Sequence, residues 1–413
     1  MIMKYHKVKP YSLRWLKLLY KLYGVILTLS TISYLITRNN KTLLGVMALC
    51  AVGIIYVVFI RRMKWYKASK FTRLIQKHIE ENSLYETRQK GRRTVYTFYP
   101  NVEWKADEEN NTLYIRFELP GNKIDLRGLE RNLADRLKKI CLNVYETYGS
   151  IEYSFQLNKE NRLIVSSKED IQADDKNKSI VLSPSFIWKY RETPHFVVIG
   201  TTGSGKTTFT RFIIANLLKQ GFRVLYLDIK RDAEMEYFCR GNIAITYAYE
   251  PDHIAKEVSD IADEIYTRTN SISDMEEYGV EKEHDYNFNP VFVICDEIIL
   301  MKLVFPDKLY KETIAQINSI IVSGRSKNIF AGLISQSGLA EYFGNSGIRG
   351  NIGLKVALGQ LTSSEYRMIF GEEFSDIKNL RYNEIGSGLI MRHSVDSRPR
   401  EFVSPYIEQG VLD

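Results

Sequence analysis

Long apolar stretches dominate the start of the chain, and alternating short apolar runs dominate its second half. Residues 42–60, TLLGVMALCAVGIIYVVFI, carry no charge, and residues 18–36, LLYKLYGVILTLSTISYLI, carry only Lys21 near one end. Stretches of this length cross about 30 Å of hydrocarbon as helices. Residues 1–64 therefore read as a transmembrane hairpin closed by the turn TRNNK. Residues 65–91 are polar and partly amphipathic, and read as a connecting helix. From residue 92, TVYTFYP, TLYIRFEL and RLIVSS have strand character, and LRGLERNLADRLKKICLNVYETYG between them follows a helical period. Residues 92–179 are thus expected to be a small α+β domain that ends in a charged linker, KEDIQADDKNKS. From 180 to 413, FVVIG, RVLYLDI, AITYAY, VFVICDE, FAGLISQ, GLKVALG and SGLIMRH alternate with helical segments. That alternation predicts an α/β domain with a mainly parallel sheet covered on both faces.

Charge orients the expected hairpin. Lys4, Lys7, Lys9, Arg14 and Lys17 precede the first stretch, and Arg61, Arg62, Lys64, Lys67, Lys70 and Arg73 follow the second, with no acid in either flank. The turn holds only Arg38 and Lys41. The positive-inside rule then predicts a two-pass protein of the cell membrane with both termini cytoplasmic. These flanks outweigh the net charge of +8, so the remaining chain is net acidic. Bulk charge is no argument for nucleic-acid binding.

The four cysteines, Cys50, Cys141, Cys239 and Cys295, make no C-x-x-C pair, and the six histidines are scattered. Neither a zinc site nor a disulfide framework is indicated.

Chemistry concentrates in two motifs. GTTGSGKT at 200–207 satisfies G-x-x-x-x-G-K-[ST], with a strand-like run before it and a helix-like run after it. Gly200, Thr201, Thr202, Gly203, Ser204, Gly205, Lys206, Thr207 and Thr208 would cradle the phosphates of ATP. The following helix turns its positive end toward them. Lys206 would reach the outer phosphates and Thr207 would ligate Mg²⁺. The second motif, VFVICDE at 291–297, is a short strand ending in two acids, which are costly to bury and belong at its carboxyl end. Asp296 would hold Mg²⁺ through water and Glu297 would polarise the attacking water. Together the motifs predict an ATPase.

Taken in order, the segments from about 180 to 405 resemble the FtsK/SpoIIIE family of DNA-pumping ATPases. The matching segments are TPHFVVIGTTGSGKTTF, YLDIKRDAEMEYF with Asp228 and Lys230, EIYTRTNSISDMEEYGVEKEHDYN, GRSKNIFAGLISQSG, and IRGNIGLKVALGQLTSSEYRMIFGEE. Ser335 stands where the family usually has threonine. The resemblance implies a RecA/FtsK-like domain, assembled as a homo-hexamer that passes double-stranded DNA through its pore. It implies that Gln336 senses the γ-phosphate and that Arg325 is supplied in trans to a neighbouring site. Arg349 and Arg367 are alternatives to Arg325, and Lys230 either pairs with an acid or lies near the nucleotide. Residues 325–327 and 341–351 are the places to look for DNA contacts.

The shortened pattern looks like the coupling proteins of Gram-positive conjugative elements, of the TcpA kind, which bring a relaxase–DNA complex to transfer-channel proteins. A chromosome- or plasmid-partition DNA pump and a type VII-like protein-secretion ATPase are the alternatives.

Overall fold

The computed structural model describes residues 5–9, 14–37, 45–48, 50, 64–91, 93–108, 111–119, 124–158, 162–171, 173–174, 178–277, 288–336, 346–375, 377 and 384–412. The chain divides into two compact units, residues 1–158 and 159–413.

The first unit contains strands β1 (His6–Val8), β2 (Glu86–Lys90), β3 (Arg93–Phe98), β4 (Val102–Asp107), β5 (Thr112–Glu118), β6 (Cys141–Thr147) and β7 (Ser150–Gln156). An antiparallel sheet runs in the order β1-β4-β5-β7-β6, and β2 pairs with β3 as a hairpin. Alternation gives the sheet its buried face. Val102 and Trp104, then Leu113, Ile115 and Phe117, then Ile151, Tyr153 and Phe155 point inward. The helices Lys64–Glu81 and Glu130–Leu137 contribute Ile75, Ile79, Leu133 and Leu137 to the same core. The expected connecting helix is thus a core element of this unit, and Trp104 Nε1 donates to its Thr72 Oγ1 at 2.9 Å. The single helix expected from LRGLERNLADRLKKICLNVYETYG is instead a short helix followed by β6. Lys138, in the left-handed region at φ 53°, ends the helix, and the alternation of CLNVYET continues as strand.

The membrane expectation needs correction. Among the described residues, no helix is long and apolar enough to cross a membrane. The stretch 18–36 lies within the helix Arg14–Thr37, whose apolar run is broken by Lys21 and by hydroxyl residues. Thr28, Ser30 and Thr31 turn their hydroxyls back on the carbonyls of Gly24, Ile26 and Leu27. The other stretch, 42–60, lies outside the described residues apart from 45–48 and 50. The two-pass membrane location with cytoplasmic termini is therefore not supported.

The second unit opens with β8 (Ile164–Val165), β9 (Ala173–Asp174), β10 (Ser179–Ser183) and β11 (Phe186–Lys189). The segment expected to be a linker thus contributes a 3₁₀ turn at Lys168–Asp170 and β9 to this unit. The remaining strands are β12 (Phe196–Gly200), β13 (Arg223–Asp228), β14 (Ile245–Ala248), β15 (Val291–Asp296), β16 (Ile329–Ser335), β17 (Leu354–Leu358), β18 (Ser387–Arg392), β19 (Arg400–Val403) and β20 (Tyr406–Ile407). Eight of them form one sheet in the order β14-β13-β15-β16-β12-β17-β18-β19. The strands from β14 to β17 are parallel, while β18 and β19 add antiparallel pairs at one edge.

The central strands β12 and β16 are buried along their whole length, as their unbroken apolar runs require. Alternate residues serve opposite faces: Val197 and Ile199 enter one core, and Phe196 and Val198 the other. Phe196, Phe292 and Phe330 stack across three strands, with centroids 5.5 to 5.8 Å apart. Gly332 makes room for this, since a Cβ there would lie 2.2 Å from Phe196 Cζ. Strand β16 separates the phosphate-loop strand β12 from the acidic strand β15. All three end at the same edge of the sheet, with Ile199 opposite Ser335 and Asp296 opposite Ile334.

Candidate functional site

The loop after β12 is shaped by glycine. Gly203 and Gly205 adopt φ of 76° and 97°, a region that side chains disfavour. Gly200 is constrained by space instead: a Cβ there would meet Ser204 Oγ at 2.6 Å and the Leu358 carbonyl at 2.7 Å. The helix Lys206–Lys219 starts directly behind the loop. Lys206 Nζ donates to the carbonyls of Gly200 at 2.5 Å and Thr201 at 3.1 Å. Burial lowers its pKa, the carboxylates of Glu297 and Asp296 oppose this, and the Lys230 charge adds to it. Ser204 Oγ is buried and has no hydrogen-bond partner among the described residues. Thr201, Thr202, Gly203 and Thr208 are exposed, and Thr207 is half-buried in the first helical turn. A glycine cradle, an unsatisfied hydroxyl and a lysine beside two carboxylates suit a polyphosphate with its divalent cation.

The acids stand at the end of β15. Asp296 Oδ2 accepts from Tyr226 Oη at 2.7 Å. Burial raises the Asp296 pKa to about 6, reinforced by the charges of Asp228 and Glu297 and opposed by the Tyr226 hydrogen bond and by Lys206. Glu297 is buried in the left-handed region at φ 54°. Its Oε1 accepts from Ser335 Oγ at 3.2 Å and from the Gln336 backbone N–H at 3.1 Å. The Gln336 side chain turns the other way, its Oε1 accepting from Thr202 Oγ1 at 3.0 Å. A continuous set of contacts thus joins the phosphate loop to the acid.

The structure brings together the phosphate loop, Asp296, Glu297 and Gln336, but not Arg325. That residue is exposed in the 3₁₀ turn Arg325–Lys327, which precedes β16 and therefore lies at the sheet edge opposite the loop. Arg349 lies near Lys355 in the helix Ser346–Asn351, and Arg367 makes a surface ion pair with Glu372 at 3.7 Å. Residues 341–345 of the DNA-contact stretch lie outside the described residues. Lys230 is exposed beyond β13, near enough to Lys206 for the two charges to repel.

Sequence reading missed Tyr226 and Tyr247. Their one signal is a tyrosine within a mostly apolar strand. Only the register, with Tyr226 opposite Ile294 and Asp228 opposite Asp296, sets Tyr226 diagonally beside Asp296.

An α/β fold with a strand between the phosphate-loop and acidic strands, and this constellation at their carboxyl ends, defines a P-loop ATPase. Comparison with known proteins finds similarity to HerA- and FtsK-type proteins. The helicase HerA central domain family (DUF87) matches residues 192–278. FtsK domain-containing protein YdcQ of Bacillus subtilis (strain 168) is 24% identical over 383 residues, which is 88% of this chain and 75% of YdcQ. Among solved structures, the pCW3 conjugation coupling protein TcpA, in a monomer form with ATPγS, superposes with a TM-score of 0.51 at 17% identity. The match covers 82% of this chain and 95% of TcpA. ATPases 2 and 3 of EssC from Geobacillus thermodenitrificans give a TM-score of 0.47 at 15% identity, over 60% of this chain and 47% of that one.

Proposed function

We propose that this chain is an ATP-driven translocase of double-stranded DNA, working as a homo-hexameric ring in the manner of a conjugative coupling protein. The observation that carries this reading is the junction at the sheet edge, where Gln336 contacts both Thr202 of the phosphate loop and Glu297. A motor must link the state of its nucleotide to the rest of the ring, and this junction offers that link. The coupling-protein reading draws support from the TcpA likeness, which covers 82% of this chain and so extends beyond the ATPase unit.

In this reading Lys206 would bind the outer phosphates, and the Thr207 hydroxyl and Asp296 would hold Mg²⁺. Bound Mg²⁺ neutralises charge on the phosphoryl oxygens. Glu297 Oε2, which accepts no hydrogen bond among the described residues, orients and polarises the attacking water, while Oε1 stays anchored. Gln336 reports the γ-phosphate to Glu297. Arg325 cannot serve its own site from the opposite edge, so it acts on the site of a neighbouring subunit. A relaxase and channel proteins are the partners such a motor would serve.

ATP turnover by the full chain, with and without double-stranded DNA and with Lys206→Ala as the blank, tests the proposal. Strong stimulation by DNA is expected. Robust turnover indifferent to DNA would rule out a DNA motor.

A further inference from the structure

Two carboxylates face each other across adjacent strands at the site, Asp228 at the end of β13 and Asp296 at the end of β15. Each holds a tyrosine hydroxyl through Oδ2: Tyr247 to Asp228 at 2.9 Å and Tyr226 to Asp296 at 2.7 Å. The two rings stack with centroids 6.4 Å apart and planes 8° from parallel. The acids differ in what remains available. Asp228 is fully buried and also accepts the backbone N–H groups of Arg231, on Oδ1, and Asp232, on Oδ2, both at 2.8 Å. Both its oxygens are committed to holding the loop. Asp296 is half-buried, and its Oδ1 accepts no hydrogen bond among the described residues.

We propose that Tyr226 is a positioning residue for the divalent cation, locking the Asp296 carboxylate so that Oδ1 alone is offered to the phosphate cradle. Tyr247 and the Arg231–Asp232 backbone withdraw Asp228 from that role. The inference rests on the nucleotide reading of the site. A carboxylate pinned by one oxygen cannot rotate about its terminal bond, so the oxygen presented to a metal's water shell is already oriented. Partners that orient metal-binding groups in this way are worth roughly 10- to 100-fold in metal affinity.

The two tyrosines provide a matched test. Tyr226→Phe and Tyr247→Phe each remove one carboxylate-bound hydroxyl from the same stack, buried at Tyr226 and half-buried at Tyr247, and both keep their rings. Mn²⁺ binding to the full chain with ATPγS is followed by electron paramagnetic resonance, and ADP binding without metal by calorimetry. Tyr226→Phe is expected to weaken Mn²⁺ binding about tenfold or more and to leave metal-free ADP affinity unchanged. Tyr247→Phe is expected to leave both near wild type. In an Asp296→Asn background, Tyr226→Phe should have no further effect on Mn²⁺. Equal shifts in the two single variants, no shift in either, or an undiminished effect in the Asp296→Asn background would each overturn the proposal. Wild-type protein that binds neither ATPγS nor ADP would instead sink the nucleotide reading beneath it.

Discussion

Gln336 holds Glu297 by its backbone and reaches the phosphate loop with its side chain: its N–H donates to Glu297 Oε1 at 3.1 Å, and its Oε1 accepts from Thr202 at 3.0 Å. Replacing the side chain breaks one half of this relay and spares the other. Gln336→Ala should therefore lower kcat at least about tenfold while ATPγS affinity stays close to wild type. Single-turnover kinetics alongside a binding titration would check this. A loss confined to affinity would place Gln336 in binding alone.

Lys206 and Glu297 should separate by the step they affect. Lys206→Ala removes the cation from the cradle, so both ATPγS binding and turnover should fall. Glu297→Gln keeps the shape and the Oε1 contacts but not the charge. It should bind ATP normally and turn over about 100-fold more slowly or worse. Weak ATP binding by Glu297→Gln would show that the acid supports the site's structure instead.

Arg325 occupies the edge of the sheet away from its own loop. If it serves a neighbour, two inactive proteins should rescue each other. An equimolar mixture of Arg325→Ala and Glu297→Gln should show turnover that neither has alone, because some interfaces pair an intact acid with an intact arginine. A mixture as inactive as its components would remove Arg325 from the mechanism.

Gly200→Ala tests the cradle sterically. The new methyl would meet Ser204 Oγ and the Leu358 carbonyl inside ordinary contact distance. The expected cost is about 1–3 kcal/mol of stability, with weakened nucleotide binding. Calorimetric melting and ADP titration would report both effects, and unchanged values would mean the loop relaxes freely.

Acid should destabilise both units through buried histidines. His78 is lowered to about 4 by burial and then by the Arg136 charge. His195 is also lowered to about 4, chiefly by burial, with the Arg325 charge adding to it and a hydrogen bond donated to the Ile321 backbone carbonyl opposing it. An unfolded histidine takes its proton near 6.5, whereas these resist it until about 4. Stability is therefore fully present above 6.5 and declines as pH falls from 6.5 toward 4, by on the order of 2 kcal/mol for each group. Urea midpoints for the wild type and His78→Phe at pH 7.5 and 5 would test the sign. The variant should be less stable at pH 7.5 yet lose less on acidification. Equal losses in both proteins would exclude His78 as the cause.

What could be read directly were features whose requirements are local. GTTGSGKT encodes its own turn, because the glycines needed for positive φ and for close approach lie within eight consecutive residues. VFVICDE encodes a buried strand and the place where it must meet water. Other features depend on how distant segments meet. The same apolar periodicity that read as one helix through 126–149 resolves into a helix and a strand, because β6 gains a partner in β7. The helix Lys64–Glu81 became a core element because Ile75 and Ile79 found a sheet to cover. Hydropathy alone made the 18–36 stretch resemble a membrane span, although the helix containing it falls short of the required apolar length. Tyr226 joined the site through register with a strand about seventy residues away, and Arg325 was separated from it by the direction of β16. The sequence by itself determined the phosphate cradle and the strand-end acids, since those follow from backbone sterics and burial along one continuous segment. The tertiary structure decided which polar groups hold the acids in place and which sheet edge each basic residue occupies, since pairing and packing between remote segments set those distances.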